Sequence, residues 1–341
     1  MSDWRPDLLG DGFEATDLDL GEDDEGPLVA TLVRSRPTPQ NLWRRWFGPL
    51  PPLHDVDVLY VHGWSDYFFQ RHLAEFWTSR GARFFALDLR KYGRSIRDGQ
   101  TKGYIEHLSD YDLELGLALT EMGHLSEGGS GTAARRLVLM GHSTGGLVLS
   151  LWAHRHPGVA DALILNSPWL ELQLTAAGRK ALAPVVGLRA RLTPRDLALP
   201  QLDLGFYTRA QLEVGDPVEQ GLINRAWRPE QTHPVLGGWL NAVLEGHAGV
   251  EAGLEVGAPV CVLLSARTVF ALAWKPEMLA ADTVIEVDAC ARAALRLGAS
   301  VTIERIDGAL HDVFLSAPAA RAEAYARLDR WVRAWNSVTS R

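Results

Sequence analysis

The sequence predicts an α/β fold: a doubly wound, mostly parallel sheet with an antiparallel N-terminal edge and an inserted segment. Three observations lead to this prediction. Short apolar runs typical of buried strands alternate with helical patterns along most of the chain. Residues 13–20 and 28–34 flank an acidic turn that contains glycines, which indicates an antiparallel hairpin. The alternation stops between residues 171 and 235, where six prolines interrupt the pattern.

The composition limits the classes of function. The chain has 341 residues, of which 47% are hydrophobic and 22% charged, as in ordinary globular proteins. A net charge of −8 argues against a nucleic-acid partner, since nucleic-acid binders normally carry a basic face. The N-terminus lacks signal-peptide features and no apolar run is long enough to span a membrane, so we expect a cytoplasmic protein without a stable membrane anchor.

Cofactor and metal sites are not expected. The two cysteines, Cys261 and Cys290, cannot form a disulfide framework, and Cys261 lies in an apolar run typical of a buried thiol. No cluster of side chains has the spacing of metal ligands. No glycine-rich loop has the spacing that binds phosphate or a dinucleotide.

The elements follow in chain order from the periodicity of apolar residues. After the hairpin, residues 36–54 are rich in Pro and Trp and should cross the molecule irregularly. The loop at residues 123–134 should be flexible, because it is rich in Gly and Ser. Strands are expected at 57–61, 82–87, 137–140, 162–165, 259–264 and 301–305. Helices are expected at 70–80, 110–122, 147–153, 237–244 and 318–335.

The most informative stretch is residues 141–145, Gly-His-Ser-Thr-Gly, where a predicted strand turns abruptly into a predicted helix. A Ser between two glycines at such a turn is the pattern of a nucleophile elbow. A Cβ atom at either flanking position would collide with the neighbouring strand or helix, and the Ser itself would adopt a strained backbone. We therefore predict that Ser143 is a catalytic nucleophile.

The order of motifs resembles the α/β-hydrolase fold, and within it the monoacylglycerol-lipase and serine-aminopeptidase-like branch. The motifs are residues 62–64 (His-Gly-Trp), the segment from Asp88 to Ser95, the elbow, the insertion and Gly308-x-x-His311. The resemblance extends from residue 13 to residue 336. It implies a hydrolase core formed by residues 1–168 and 236–341, with residues 169–235 as an inserted lid. It also implies a serine hydrolase that cleaves carboxylic esters of apolar acyl groups, such as monoacylglycerols or lysophospholipids.

The resemblance implies the partners of Ser143 as well. In this fold the order along the chain is Ser, acid, His, which makes His311 the general base. The acid usually follows the preceding strand, but residues 267–276 contain neither Asp nor Glu. Residues 282–286 resemble the family's acid segment displaced by an insertion of about fifteen residues, which implies Asp282. Glu286 and Asp288 remain alternatives.

The predicted oxyanion hole consists of two backbone N–H groups, those of Trp64 and Thr144. Asp66 and Tyr67 follow Trp64 and are expected to brace this loop. The lid carries apolar side chains that are able to line a substrate pocket. We expect the following aromatic residues to contact the substrate: Trp169, Phe206, Tyr207 and Trp227.

Other functions remain open on the same scaffold. An aminopeptidase or amidase would need carboxylates in the lid to hold the substrate's amino group, and Glu213, Asp216 and Glu219 keep that possibility open. An acyltransferase would use the same acyl-enzyme. A non-catalytic, receptor-like relative is disfavoured because His311 is retained. The expected partner is a small-molecule ester, and the chain is expected to be a monomer or homodimer.

Overall fold

The computed structural model describes residues 3–35, 50–125, 135–172, 186–187, 190–198 and 203–339. Within these ranges the strands form one sheet of nine. They are β1 (Arg5–Pro6), β2 (Phe13–Asp23), β3 (Gly26–Ser35), β4 (Val56–Val61), β5 (Arg83–Asp88), β6 (Arg136–His142), β7 (Ala162–Asn166), β8 (Val260–Ser265) and β9 (Val301–Ile306).

The strand order is β1-β2-β3-β5-β4-β6-β7-β8-β9. Strands β1, β2, β3 and β5 pair antiparallel, and every pair from β5 through β9 is parallel. This is the predicted mostly parallel sheet with an antiparallel N-terminal edge. The chain builds outward from β4 to β5 and then returns to add β6 on the other side of β4. Such a reversal opens a crevice at the carboxyl ends of the two strands, where α/β proteins place their sites.

Helices cover both faces of the sheet. They are α1 (Arg71–Thr78), α2 (Asp112–Met122), α3 (Thr144–Arg155), α4 (Phe206–Val214), α5 (Pro217–Gly221), α6 (Gly237–Ala252), α7 (Val287–Ala294) and α8 (Pro318–Thr339). Alternate residues of β4 point to opposite faces, so Leu59 belongs to the core under α2, α3, α6 and α7. Tyr60 belongs to the core under α1 and α8. An apolar core therefore packs against each face of the sheet and holds the ends of its strands in place.

Most predicted elements appear with shifts of a few residues at their ends. Helix α6 continues to Ala252, eight residues beyond the predicted end, and the strand β2 extends through the acidic stretch to Asp23. Helix α7, whose first turn is capped by the side chain of Glu286, was not predicted from the sequence. Helices α4 and α5, which lie inside the insertion, were not predicted either. Most of the predicted crossing at 36–54 and of the loop at 123–134 lies outside the described residues.

No helix in the described part of the chain is both long and apolar enough to cross a membrane.

Candidate active site

Ser143 lies in the tight turn between β6 and α3, with a left-handed φ of +51°. The flanking glycines have the steric reason expected from the sequence. A Cβ on Gly141 would lie 2.7 Å from the carbonyl oxygen of Gly145. A Cβ on Gly145 would collide with the carbonyl oxygens of His62 and Val61 at the end of β4. The backbone alone therefore holds Ser143 above the carboxyl end of the sheet, in a conformation that L-residues rarely adopt.

The structure brings Ser143, His311 and Asp282 together in one buried row. Ser143 Oγ lies 3.0 Å from His311 Nε2, and Asp282 Oδ2 lies 2.8 Å from His311 Nδ1. The exposed fractions of the three residues are 7%, 2% and 0%, in the order Ser143, His311 and Asp282. With its proton on Nδ1, the imidazole donates to Asp282 and accepts from the hydroxyl of Ser143. This arrangement is able to draw the proton from Ser143 when the oxygen attacks a carbonyl.

The position of Asp282 explains why the acid was hard to locate from the sequence. Asp282 forms an isolated parallel bridge with Thr268, three residues after β8. Its backbone N–H donates to Arg267 O, and its own carbonyl accepts from Val269 N. The loop between residues 269 and 281 therefore bulges out and returns to the strand end. Asp282 reaches the place that an acid directly after β8 would occupy.

The other carboxylate oxygen of Asp282 is also fixed. Oδ1 accepts from the backbone N–H groups of Val284 and Ile285 at 2.7 and 2.9 Å. The alternative acids make different contacts. Glu286 accepts from backbone N–H groups at the start of α7, and Asp288 pairs with Arg305 at 2.5 Å. Of the three candidate acids, Asp282 is the one that contacts His311.

The loop after β4 passes directly over the elbow. A Cβ on Gly63 would lie 2.9 Å from the Cβ of Ser143, so a side chain at this position would collide with Ser143. Trp64 follows, and its ring packs against Trp239 of α6 with 3.8 Å between centroids. Thr144 is the first residue of α3, so its N–H has no carbonyl one turn earlier in the helix to bond. Thr144 therefore follows Ser143 directly, and Trp64 follows Gly63, the residue of this loop that approaches Ser143.

The four predicted substrate-contact residues divide into two pairs. Tyr207 lies edge-on against the His311 ring, with 5.5 Å between centroids, and Trp169 donates its backbone N–H to Ser143 O at 3.0 Å. Phe206 packs against Trp274 of the 269–281 loop, at 5.8 Å. Trp227 packs edge-on against Tyr67, at 5.3 Å. The structure therefore places the Tyr207 ring and the Trp169 backbone beside the row of Ser143, His311 and Asp282. The Trp169 side chain, like those of Phe206 and Trp227, contacts other aromatic rings, here those of Trp239 and His247.

The residues after Trp64 brace their loop through contacts with Leu222 and Arg228, which lie in the predicted insertion. Asp66 Oδ1 accepts from Arg228 Nε at 2.7 Å. The hydroxyl of Tyr67 donates to Leu222 O at 3.0 Å. Neither Arg228 nor Trp239, which packs against Trp64, was predicted from the sequence. An Arg among prolines and a Trp in an apolar helix are frequent in any chain, so neither carried a local signal.

The three carboxylates that kept an aminopeptidase possible, Glu213, Asp216 and Glu219, have partners in the structure. Glu213 pairs with Arg209 at 2.8 Å on the exposed side of α4. Asp216 pairs with Arg321 at 3.1 Å. Glu219 accepts from the backbone N–H of His72 at 2.8 Å, and burial raises its pKa to about 7. Asp216 and Glu219 therefore attach this segment to α8 and α1, and Glu213 lies on its surface.

Buried polar side chains support the row from behind. Asn166 Nδ2 donates to Asp312 Oδ1 at 2.7 Å, and Gln70 Nε2 donates to Asp312 Oδ2 at 3.2 Å. Asp312 is thus held by its own partners, although it follows His311 directly. The ring of His142 lies 5.0 Å from that of His311, and burial lowers the pKa of His142. Burial therefore favours the neutral form of this imidazole, which lies beside the row of Ser143, His311 and Asp282.

Comparisons with known proteins agree with this fold. The profile of the family described as Serine aminopeptidase, S33, matches residues 54–241, more than half of the chain. A soluble variant of the monoglyceride lipase of Saccharomyces cerevisiae superposes with a TM-score of 0.61 at 15% identity, covering 94% of this chain and 96% of that one. A search among curated proteins found no match.

Two further structures are similar. The monoacylglycerol lipase of Paleococcus ferrophilus gives a TM-score of 0.58 at 17% identity, over 82% of this chain and 94% of the lipase. A thermophilic esterase of Thermogutta terrifontis gives 0.54 at 14% identity, over 94% and 98% of the two chains. At such identities the likeness shows the α/β-hydrolase fold. Together with the family profile across the elbow, it shows that the chain belongs to the serine aminopeptidase S33 family.

Proposed function

We propose that this chain is a serine hydrolase that cleaves carboxylic esters through an acyl-enzyme on Ser143. The observation that carries the proposal is the pair of hydrogen bonds that link Ser143 to His311 and His311 to Asp282. A hydroxyl is a weak nucleophile until a neighbouring base takes its proton. An oriented imidazole at 3.0 Å is within reach of that proton.

The proposed reaction proceeds in two stages. Ser143 Oγ attacks the ester carbonyl while His311 Nε2 takes the hydroxyl proton, and His311 then returns the proton to the leaving alcohol. Water, deprotonated by His311 in turn, attacks the acyl-enzyme. The bond between the acyl carbon and Ser143 Oγ then breaks, Oγ takes the proton back from His311, and the carboxylic acid leaves. Asp282 keeps the imidazole in the tautomer with Nδ1 protonated and stabilises the imidazolium that forms.

The negative charge on the carbonyl oxygen needs its own donors. We assign this role to the backbone N–H groups of Trp64 and Thr144, which lie on the two chain segments that meet at Ser143. Donors of this kind act on the tetrahedral intermediate and not on the resting ester, so they lower the barrier to the chemical step.

The substrate proposed is an ester with an apolar acyl group, such as a monoacylglycerol or a lysophospholipid. The similar structures include proteins described as monoacylglycerol lipases and an esterase, which favours this class. The Tyr207 ring beside His311 offers an apolar wall, and the Trp169 ring packs against Trp239, which in turn contacts Trp64. We propose that residues 169–235 act as the lid over this pocket, with Phe206 and Trp227 farther along it. The cytoplasmic location and the monomeric or homodimeric state stay predictions of the sequence.

An aminopeptidase is the second candidate, because the family's description names that activity. It needs an acidic group free to hold the substrate's ammonium. The contacts of Glu213, Asp216 and Glu219 with Arg209, Arg321 and the His72 backbone leave them poorly suited to that task. An ester is therefore the better-supported substrate. An acyltransferase would share the acyl-enzyme and differ only in the acceptor.

The test is a hydrolysis screen over p-nitrophenyl acetate, butyrate, octanoate and palmitate, with an aminoacyl p-nitroanilide of matched size. We expect ester turnover to exceed amide turnover, and Ser143→Ala to lower kcat by about 10⁴-fold or more. An added alcohol that accepts the acyl group faster than water would reassign the chain as a transferase. Faster cleavage of the aminoacyl amide would favour the peptidase, and turnover that survives Ser143→Ala would contradict both functions.

A further inference from the structure

A row of hydrogen bonds connects the two loops on either side of Ser143 through the insertion. Arg228 Nε donates to Asp66 Oδ1, and Arg228 Nη2 donates to Gln211 Oε1, both at 2.7 Å. Gln211 Nε2 then donates to the hydroxyl of Tyr207 at 2.6 Å. The same hydroxyl accepts the backbone N–H of Asp312 at 3.1 Å. We call this set, from Asp66 to Asp312, the bridging network.

We propose that Arg228 and Tyr207 are positioning residues. By way of the insertion they hold two loops in register: the oxyanion loop, residues 62–67, and the histidine loop, residues 307–312. The proposal rests on the function proposed above and adds a mechanism by which the insertion controls the catalytic row. Neither residue transfers a proton or contacts the reacting atoms in this account. Each acts through a neighbour that does.

One end of the network reaches the oxyanion loop. Asp66 is two residues after Trp64, whose N–H is the proposed oxyanion donor. Between them, Ser65 has a left-handed φ of +54°, which is strained for a residue with a side chain. Such a conformation persists only when its surroundings enforce it. The insertion supplies that enforcement at two points, since His233 N donates to Ser65 Oγ at 3.1 Å and Arg228 holds Asp66.

The other end reaches the histidine loop. The Tyr207 ring lies edge-on against the His311 ring, with an angle of 83° between their planes. The Tyr207 hydroxyl holds the backbone of Asp312, the next residue in the chain. A rotation of α4 would therefore shift both the wall beside His311 and the peptide that follows it.

The guanidinium group at the centre suits a positioning role better than a stabilising one. The side chains of Arg228 and Asp66 are each only 6% exposed. Buried ion pairs contribute little net stability, because removing two charges from water costs about as much as their attraction returns. Two donors on one rigid plane do fix the distance between their acceptors, here Asp66 and Gln211. A lysine, with a single point charge, cannot hold both acceptors in the same way.

The expected kinetic effect follows from where the network ends. An error of about 1 Å in the position of a catalytic group costs about 100-fold in rate. The oxyanion exists only in the tetrahedral intermediate, so a misplaced donor lowers kcat and leaves KM nearly unchanged. A residue that merely lined the substrate pocket would raise KM instead.

The test uses Arg228→Lys and Tyr207→Phe in the full chain, assayed with p-nitrophenyl butyrate. We expect each variant to lower kcat by about 10- to 100-fold, with KM within about threefold of wild type. Arg209→Lys is the matched control, because Arg209 lies on the same insertion but at an exposed position, where it pairs with Glu213. It should leave kcat and KM unchanged.

The double variant Asp66→Asn/Tyr207→Phe asks whether the two ends are coupled. Asp66 and Tyr207 are linked through Arg228 and Gln211, so their effects on kcat should not multiply. Independent effects that multiply, or Arg228→Lys kinetics within about twofold of wild type, would overturn the proposal. Thermal melting of each variant identifies any that fail to fold. In that case the kinetics of the remaining variant decide whether the proposal stands.

Hydrogen exchange keeps the test independent of the proposed function. If Arg228 positions the loop, Arg228→Lys should speed exchange in peptides covering residues 64–67 and 311–313, and Arg209→Lys should not. Unchanged exchange in both segments would overturn the positioning role. A wild-type protein that turns over no ester, but shows this exchange difference, would refute the proposed function and leave the network standing as a structural coupling.

Discussion

The elbow and the insertion above it are held in place by different parts of the chain. At the elbow the backbone provides the contacts: Ser143 N donates to Asn166 O at 3.0 Å, and glycines allow β4, β6 and α3 to approach closely. The insertion is attached by side chains, among them Arg228 to Asp66 and Glu219 to the backbone of His72. The elbow therefore depends on backbone contacts of the sheet, whereas the segment with Glu219 and Arg228 is attached through side chains.

This difference has a consequence for function. Steric contacts between backbone atoms tolerate almost no substitution, because no side-chain movement relieves them. Polar contacts between side chains are individually worth about 0.5–1.5 kcal/mol and are replaceable. We expect the catalytic activity to be lost when the elbow or the residues hydrogen-bonded to Ser143 are altered. Changes in the insertion should alter the rate without abolishing it.

The largest expected effect comes from the row of Ser143, His311 and Asp282. Asp282→Asn should lower kcat by about 10⁴-fold, because an amide that donates to His311 stabilises the wrong tautomer. Glu286→Gln is the matched control and should retain nearly full activity, since Glu286 caps α7 and pairs with Arg292, away from His311. Steady-state kinetics on one ester measure both. Full activity of Asp282→Asn together with loss in Glu286→Gln would move the acid role to Glu286.

Sterics at the elbow give the next largest effect. Gly145→Ala should destabilise the fold by at least about 3 kcal/mol, because the new methyl group meets two carbonyl oxygens of β4 and its loop. Gly116→Ala is the control: its Cβ would meet nothing within 4 Å, and it lies inside α2. Gly116→Ala should raise the free energy of unfolding by about 0.5–1 kcal/mol. Urea unfolding compares the two, and equal midpoints would refute the backbone argument.

The smallest expected effect concerns the attachment of the insertion. Burial raises the pKa of Glu219 to about 7 from an ordinary value of 4.5. Between these values the folded state binds more protons than the unfolded state, so the free energy of unfolding falls as the pH rises through this range. Glu219→Gln removes that loss and keeps an oxygen for His72 N. Its melting temperature relative to wild type should therefore increase between about pH 4 and about pH 8.

Glu213→Gln is the control for that experiment, because it removes a carboxylate from the exposed side of the same insertion. The difference in melting temperature between Glu213→Gln and wild type should stay nearly constant over the same pH range. A constant difference for Glu219→Gln as well would show that its carboxyl group does not titrate differently in the folded protein.

The contrast between backbone contacts at the elbow and side-chain contacts in the insertion also explains which features were predictable from the sequence. The sheet, its antiparallel edge and the elbow follow from local patterns: apolar alternation and a Ser between glycines at a strand end. His311 follows from the order of motifs. Helix α7 was missed because its eight residues, with four alanines, carry only a short amphipathic pattern after an unusual loop.

Contacts of the insertion had no such local signal. Arg228 and Asp66 are 162 residues apart, and nothing near either residue indicates its partner. Asp282 was predicted from its resemblance to a family segment, because the loop at 269–281 separates it from β8 in the sequence. The return of the chain to Thr268 is a tertiary contact, and periodicity does not reveal it.

The most direct test of the central claim is covalent labelling of the protein by a fluorophosphonate at neutral pH, read by intact-mass and peptide mass spectrometry. We predict a single adduct per chain, located on Ser143, and much slower labelling of His311→Ala because the hydroxyl then lacks its base. Ser143→Ala should take up no label. A wild-type protein that remains unlabelled, or that carries the adduct on another residue, would contradict the assignment of Ser143 as an activated nucleophile.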